Sequence, residues 1–139
     1  MPRLLVINPN TTQSITHLVA QHVRAAVGPG FEIVPATGGF GCAYITSEAC
    51  FAVGAHAALD CFQTHGAGCD AVLLACFGDP GLFAVKEVSP VPVLGLAEAS
   101  MIEATETAGR FSIVSGGAAW KPMLERFAAQ LGYADRLAS

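Results

Sequence analysis

Two short runs in this chain, Leu4-Leu5-Val6-Ile7 and Ala71-Val72-Leu73-Leu74-Ala75, contain no polar residue. A strand with one wet face alternates apolar and polar side chains. An unbroken apolar run needs cover on both faces, as in a parallel strand between helix layers. Each run stops abruptly at turn chemistry: Asn8-Pro9-Asn10 after the first, Cys76-Phe77-Gly78-Asp79-Pro80-Gly81 after the second. In an open parallel sheet ligands bind outside the carboxyl ends of the strands. The second run therefore delivers one cysteine to the edge where chemistry is expected.

The rest of the chain alternates in the same way. The spacing predicts a helix over Gln13–Val27, capped by Asn10 or Thr11, with Ile15, Leu18, Val19, His22 and Val23 on its buried face. A second strand is expected at Phe31–Pro35, and a helix from Ser47, its cap, to His65. A short helix follows at Leu82–Glu87, a fourth strand at Val91–Leu94 and a helix at Glu98–Ala108. A fifth strand is expected at Phe111–Val114 and a last helix at Trp120–Leu131. This order predicts an α/β fold, a doubly wound parallel sheet with Ala71–Ala75 near its centre. The last strand and helix read as the opening of a further βαβ unit.

Composition excludes several function classes. At 139 residues the chain has the size of one domain, 53% hydrophobic and only 13% charged, with mean hydropathy +0.51. No run reaches the roughly 18 apolar residues of a membrane span. Residues Met1-Pro2-Arg3-Leu4 lead directly into a strand, without a secretory hydrophobic region, so a cytoplasmic location is expected. A net charge of −4 and scattered basic residues give no footprint for nucleic acid. Five cysteines, at 42, 50, 61, 69 and 76, are an odd number without a C-x-x-C pair. Most are expected to be reduced, buried small hydrophobes. The four histidines lack metal-ligand spacing, and no glycine-rich dinucleotide or phosphate-loop motif occurs, so neither metal nor cofactor is expected.

Three loops carry candidate chemistry. Asn8-Pro9-Asn10-Thr11-Thr12 opens a helix, whose free N–H groups and positive dipole end suit a carboxylate; an ordinary turn and cap is the plainer reading. Cys76 is a nucleophile, a base or a small buried side chain, with the N–H groups of the following turn available to favour a thiolate. Asp79 orients that turn or caps the short helix behind it. Ser115-Gly116-Gly117 repeats the pattern of a small hydroxyl with glycines after a strand, and Gly38–Gly41 with Tyr44 follows the second strand. Loops of this kind on one edge are expected to converge on one pocket.

Leu5–Thr12 resembles the opening signature of hydantoin racemases, within the aspartate/glutamate/hydantoin racemase superfamily. Ala75-Cys76-Phe77-Gly78-Asp79-Pro80-Gly81-Leu82 resembles that family's first cysteine motif, and Pro92–Ala99 and Phe111–Gly117 match in order and spacing. The resemblance implies cofactor-independent 1,1-proton transfer between two cysteines on opposite faces of a stereogenic carbon. It makes Cys76 one base, Asn10 a ligand of a substrate oxygen, Ser115 with Gly116 a donor edge, and Phe77 and Gly78 the pocket wall. The substrate is then a small carboxylate or hydantoin-like molecule. Family members are longer and form two pseudo-symmetric lobes. Residues 1–96 are thus expected to form a flavodoxin-like first lobe, and 97–139 the beginning of an incomplete second one. The family's second cysteine motif, of Gly-Cys-Ala-Gly type, has no counterpart, since the other four cysteines precede Cys76. Racemisation is therefore expected to be incomplete in this chain, with apolar surface left over for a homo-oligomer. Two rivals remain: a cis–trans isomerase of the same superfamily using Cys76 as nucleophile, and a non-catalytic module that binds small anions.

Overall fold

The computed structural model describes residues 1–139. Its strands are β1 (Arg3–Asn8), β2 (Glu32–Thr37), β3 (Ala71–Leu74) and β4 (Val93–Gly95). Its helices are α1 (Gln13–Val27), α2 (Glu48–His65), α3 (Leu82–Val88), α4 (Leu96–Ala108) and α5 (Trp120–Gln130). All pairings are parallel and the strand order is β2-β1-β3-β4. The two all-apolar runs are thus the two inner strands, with Leu5 opposite Val72 and Ile7 opposite Leu74. Pro35, which has no N–H to donate, lies in the edge strand β2.

Alternate side chains of the inner strands enter two cores, as the two-residue period of a strand requires. Leu5, Ile7, Val72 and Leu74 pack with Ala58 and Cys61 of α2, Leu82 and Val85 of α3, Ala97 and Met101 of α4, and Phe127 and Ala128 of α5. Val6 and Ala75 pack on the opposite side with Ala20 of α1, against half-buried Val19, Val23 and Val27. The α1 face is rotated from the expected one. Thr16 and Ala20 are its buried residues, whereas Leu18 and His22 are exposed. Thr16 turns inward because its hydroxyl bonds the buried Asn8 and half-buried Thr37 side chains. No helix is long and apolar enough to cross a membrane.

The expected fifth strand does not form. Phe111–Val114 makes only a single parallel bridge, from Phe111 to Leu137, and does not join the sheet. Its backbone is engaged by residues after α5 instead. The Phe111 N–H donates to Arg136 O at 3.0 Å, the Ala138 N–H to Phe111 O at 2.7 Å, and the Ile113 N–H to Ser139 O at 2.9 Å. Phe111 and Ile113 lean on the core, while Val114 is 99% exposed.

Candidate active site

The strand order reverses direction between β1 and β3, so the loops leaving these strands diverge to opposite faces and open a crevice at their carboxyl ends. The Ala75 N–H donates to Ile7 O at 2.8 Å, tying the strand ends together immediately before the crevice. Asn8-Pro9-Asn10 leaves one side of this tie and Cys76-Phe77 the other.

A buried polar network shapes the asparagine loop. Asn8 is 1% exposed, and its Nδ2 donates to Asn10 Oδ1 at 2.8 Å, Thr16 Oγ1 at 3.0 Å and Thr12 O at 3.2 Å. Asn10 Oδ1 also accepts from the Thr12 N–H at 2.9 Å. With that oxygen doubly engaged, the Asn10 Nδ2 is left as the free hydrogen-bonding end. Thr12 holds the N-cap position of α1 without a side-chain cap bond, and its own N–H is held by Asn10 Oδ1. Gly38 closes over this loop. Its N–H donates to Asn8 O at 2.8 Å and Asn10 O at 3.1 Å, and a Cβ there would stand 2.7 Å from Pro9 O.

The segment after β2 is tied to the same loop. The Thr11 N–H donates to Cys42 O at 3.2 Å and Thr12 Oγ1 to Ala43 O at 2.6 Å. Cys42 forms a disulfide with Cys50, a pair that the odd count without a C-x-x-C motif argued against. The segment folds back onto the first turn of α2, where Ser47 Oγ accepts from the Cys50 N–H at 3.2 Å and fixes that cysteine beside Cys42. Cys61, Cys69 and Cys76 remain free.

The Cys76 turn is closed by the Asp79 N–H donating to Cys76 O at 2.9 Å, and passes into α3 through the Leu82 N–H on Asp79 O at 3.1 Å. Gly78 takes φ 100°, with the Trp120 ring 2.5 Å from where a Cβ would be. Trp120 also meets Phe51 of α2 edge-on at 6.4 Å, so α5 covers this turn. The thiol is half-buried, and its one hydrogen-bond contact is a long 3.9 Å approach to Phe77 O. The expected N–H donors do not reach the sulfur. Burial first, and the negative charge of Asp79 second, push the thiol up to about 12.

Asp79 caps a different helix from the one expected. Its Oδ1 accepts from the Ala97 N–H at 2.8 Å and its Oδ2 from the Glu98 N–H at 2.7 Å, both in the first turn of α4. Burial raises its carboxyl to about 6, against the lowering effect of these N–H groups; the Glu98 charge adds to the rise.

The remaining candidates lie elsewhere. Phe77 lines a cleft of about 240 Å³ with Met101, Phe111 and Val114. Ser115 lines a separate one of about 260 Å³ with Lys121, Glu125 and Ser139. Gly116 is exposed, as is Tyr44. None of the five principal clefts is lined by Asn10, Cys76, Gly78 or Gly116. The structure thus brings the Asn10 and Cys76 loops to one sheet edge and leaves Ser115 in a cleft without them. Two contributors escape sequence reading, Thr16 and Trp120. Only Trp120, as the single tryptophan of the chain, carried a signal. No group of three or more His, Cys, Asp or Glu is arranged to hold a metal ion.

The family model for Asp/Glu/hydantoin racemases matches residues 4–139. The chain belongs to this family. Hydantoin racemases of Paenarthrobacter aurescens and of Pseudomonas sp. strain NS671 are similar at 36% and 34% identity, covering 99% and 97% of this chain but 59% and 55% of theirs. Allantoin racemase from Klebsiella pneumoniae superposes with a TM-score of 0.94 at 35% identity, over 99% of this chain and 57% of that one. Allantoin racemase from Pseudomonas fluorescens gives 0.94 at 33% identity, over 99% and 58%. The chain therefore spans little more than half the length of these racemases, which are isomerases.

Proposed function

We propose that this chain is the Cys76-bearing part of a cofactor-independent racemase acting on hydantoin-like molecules. One observation carries the reading: the register of β1 on β3 sets a free amide donor, Asn10 Nδ2, and a free thiol, Cys76, on loops leaving adjacent strands at the switch point of the sheet. The hydrogen on a carbon beside a carbonyl is acidic because the resulting carbanion delocalises onto oxygen. A donor aimed at that oxygen lowers the barrier. Asn10, assisted by the positive end of α1, is that donor, and Cys76 exchanges the proton on its own face of the carbon. A thiol held this far above neutral pH rests protonated. With no base on the opposite face, exchange in this chain runs through the minor thiolate of Cys76, which removes the proton on its own side and, once protonated and exchanged with solvent, returns one to the same face. Inversion needs a second base on the opposite face. We assign residues 97–139 to the opening of a second lobe whose helices α4 and α5 pack back on the core of the first, and the sequence holds no cysteine after Cys76. Phe77 and Gly78 form the wall beside the thiol, and Ser115 with Gly116 the donor edge of that second lobe. The protein acts in the cytoplasm, as a homo-oligomer.

The test is hydrogen exchange in D₂O, followed by NMR on each enantiomer of a 5-substituted hydantoin against a protein-free control. The chain should exchange the stereogenic hydrogen of one enantiomer with retained configuration. Cys76→Ala should cut that exchange about 100-fold or more, the scale of a lost acid–base group. Turnover that leaves the carbon protonated would instead support a nucleophilic cysteine. Binding without exchange would reduce the chain to a binding module.

A further inference from the structure

The Cys76 turn is hydrogen-bonded to α4 through one carboxylate side chain, that of Asp79. Asp79 is 1% exposed and is the only non-glycine residue with positive φ, at 52°. L-residues adopt this region at a cost, so surrounding contacts must hold it there. Three observations identify those contacts. The Asp79 backbone N–H closes the turn on Cys76 O. Its two carboxylate oxygens each take one N–H of α4. The N-cap residue of α4 is Gly95, where a Cβ would collide with Asp79 Oδ2. A side chain at position 95 and the Asp79 carboxylate exclude one another.

We propose that Asp79 is the positioning residue of the Cys76 turn, its buried carboxylate gripping the first turn of α4 so that the thiol keeps one place at the sheet edge. The charge that grips the helix also acts on the thiol, for it is the one charged group opposing Cys76 ionisation. Other charges face Asp79 from each neighbouring element. Glu98 of α4 bonds the Gly95 N–H at 3.2 Å, and Lys86 of α3 pairs with Glu98 at 2.5 Å. Arg126 of α5, paired with Glu48 in the first turn of α2, lines the cleft that Asp79 reaches. The inference rests on the proposed function only for its catalytic meaning. There, an ionised Asp79 keeps the thiolate of Cys76 the minor form.

Two groups that interact titrate together, so the Asp79 ionisation near pH 6 should be written into the reactivity of Cys76. The measurement is the rate of Cys76 alkylation by iodoacetamide from pH 5 to 9, read by mass spectrometry of the Cys76 peptide. Only the thiolate reacts, so the logarithm of the rate should climb one unit per pH unit, flatten around pH 6 as Asp79 ionises, and then climb again. Asp79→Asn should give one straight line lying above the parent at pH 8, by about 3-fold for each half unit of thiol acidity gained. Glu98→Gln should keep the flattening, and Gly95→Ala, which displaces the carboxylate, should weaken it. A straight parent profile, or an unchanged flattening in Asp79→Asn, overturns the proposal. The parent profile decides even if a variant does not fold. A purely structural Asp79 would lower the melting temperature of its variants and leave the parent profile straight. Alkylation needs no substrate, so a straight profile removes this role and leaves the proposed function standing. Loss of Cys76-dependent exchange with the flattening intact does the reverse.

Discussion

The amide of Asn10 has one end committed and one end free. Its oxygen accepts from Asn8 Nδ2 and from the Thr12 N–H, so under the proposed function the nitrogen is the end left to meet an acceptor on the substrate. Asn10→Asp preserves both internal bonds but puts a negative oxygen where the donor stood. The fold should be kept, with an unchanged circular dichroism spectrum. Affinity for a hydantoin should fall by about 1.5–3 kcal/mol, the loss expected for a hydrogen bond to a charged or strongly polar group. Calorimetric titration of the parent and variant measures it; equal affinities would mean that Nδ2 does not meet the ligand. The place of the Asn10 and Cys76 loops at the sheet edge was legible in the sequence because each follows an all-apolar run at a strand's end. The grip of Asp79 was not legible. Its partners Ala97 and Glu98 lie 18 and 19 residues further on, and nothing local distinguishes a carboxylate that caps its own helix from one that caps another.

Strand identities followed from unbroken apolar runs where burial is two-sided, as in β1 and β3, and α2 followed from its Ser47 cap and alanine-rich run. Phe111–Val114 has the composition of a strand but lacks a place in the sheet, and composition alone does not report which backbone will pair with it. The orientation of α1 also escaped the pattern. Thr16 outranks Leu18 for the buried face because Asn8 needs its hydroxyl, a polar demand that a hydrophobic stripe does not encode. The link between the β2–α2 loop and α2 was hidden for the same reason, since two cysteines 8 residues apart are not by themselves a pair. Closing so short a loop is worth roughly 2 kcal/mol through the unfolded chain. Urea denaturation of the oxidised chain should show a higher midpoint than the Cys42→Ser/Cys50→Ser double variant, by that difference in stability. Reductant should bring the parent down to the variant. A midpoint indifferent to reductant would show that the pair is open in solution. The Asn10 loop should loosen on reduction, because Cys42 O and Ala43 O hold Thr11 and Thr12.

The two faces of the sheet are unequally covered. Four helices contribute to the core on one side, and α1 alone supplies the buried helical residue on the other. Beside α1, over β3 and β4, lies an apolar groove of about 480 Å³ whose lining includes Leu4, Val23, Leu73, Pro92 and Leu94. A parallel sheet is stable with both faces buried, so this side of the 139-residue chain presents surface of the kind that drives association. The chain should bind the dye ANS in its native state and associate as its concentration rises in light-scattering chromatography. Leu94 is 45% exposed and sits opposite Leu73 in the register, so a charge there reaches solvent without entering the core. Leu94→Lys should therefore leave stability within about 0.5 kcal/mol, as surface substitutions generally do. It should also lower both dye binding and association. If Leu94→Lys unfolds the chain, β4 depends on that face more than its exposure indicates. If the variant folds and still associates, the contact lies elsewhere, and Val114, which stands free beyond α4, is the next position to charge.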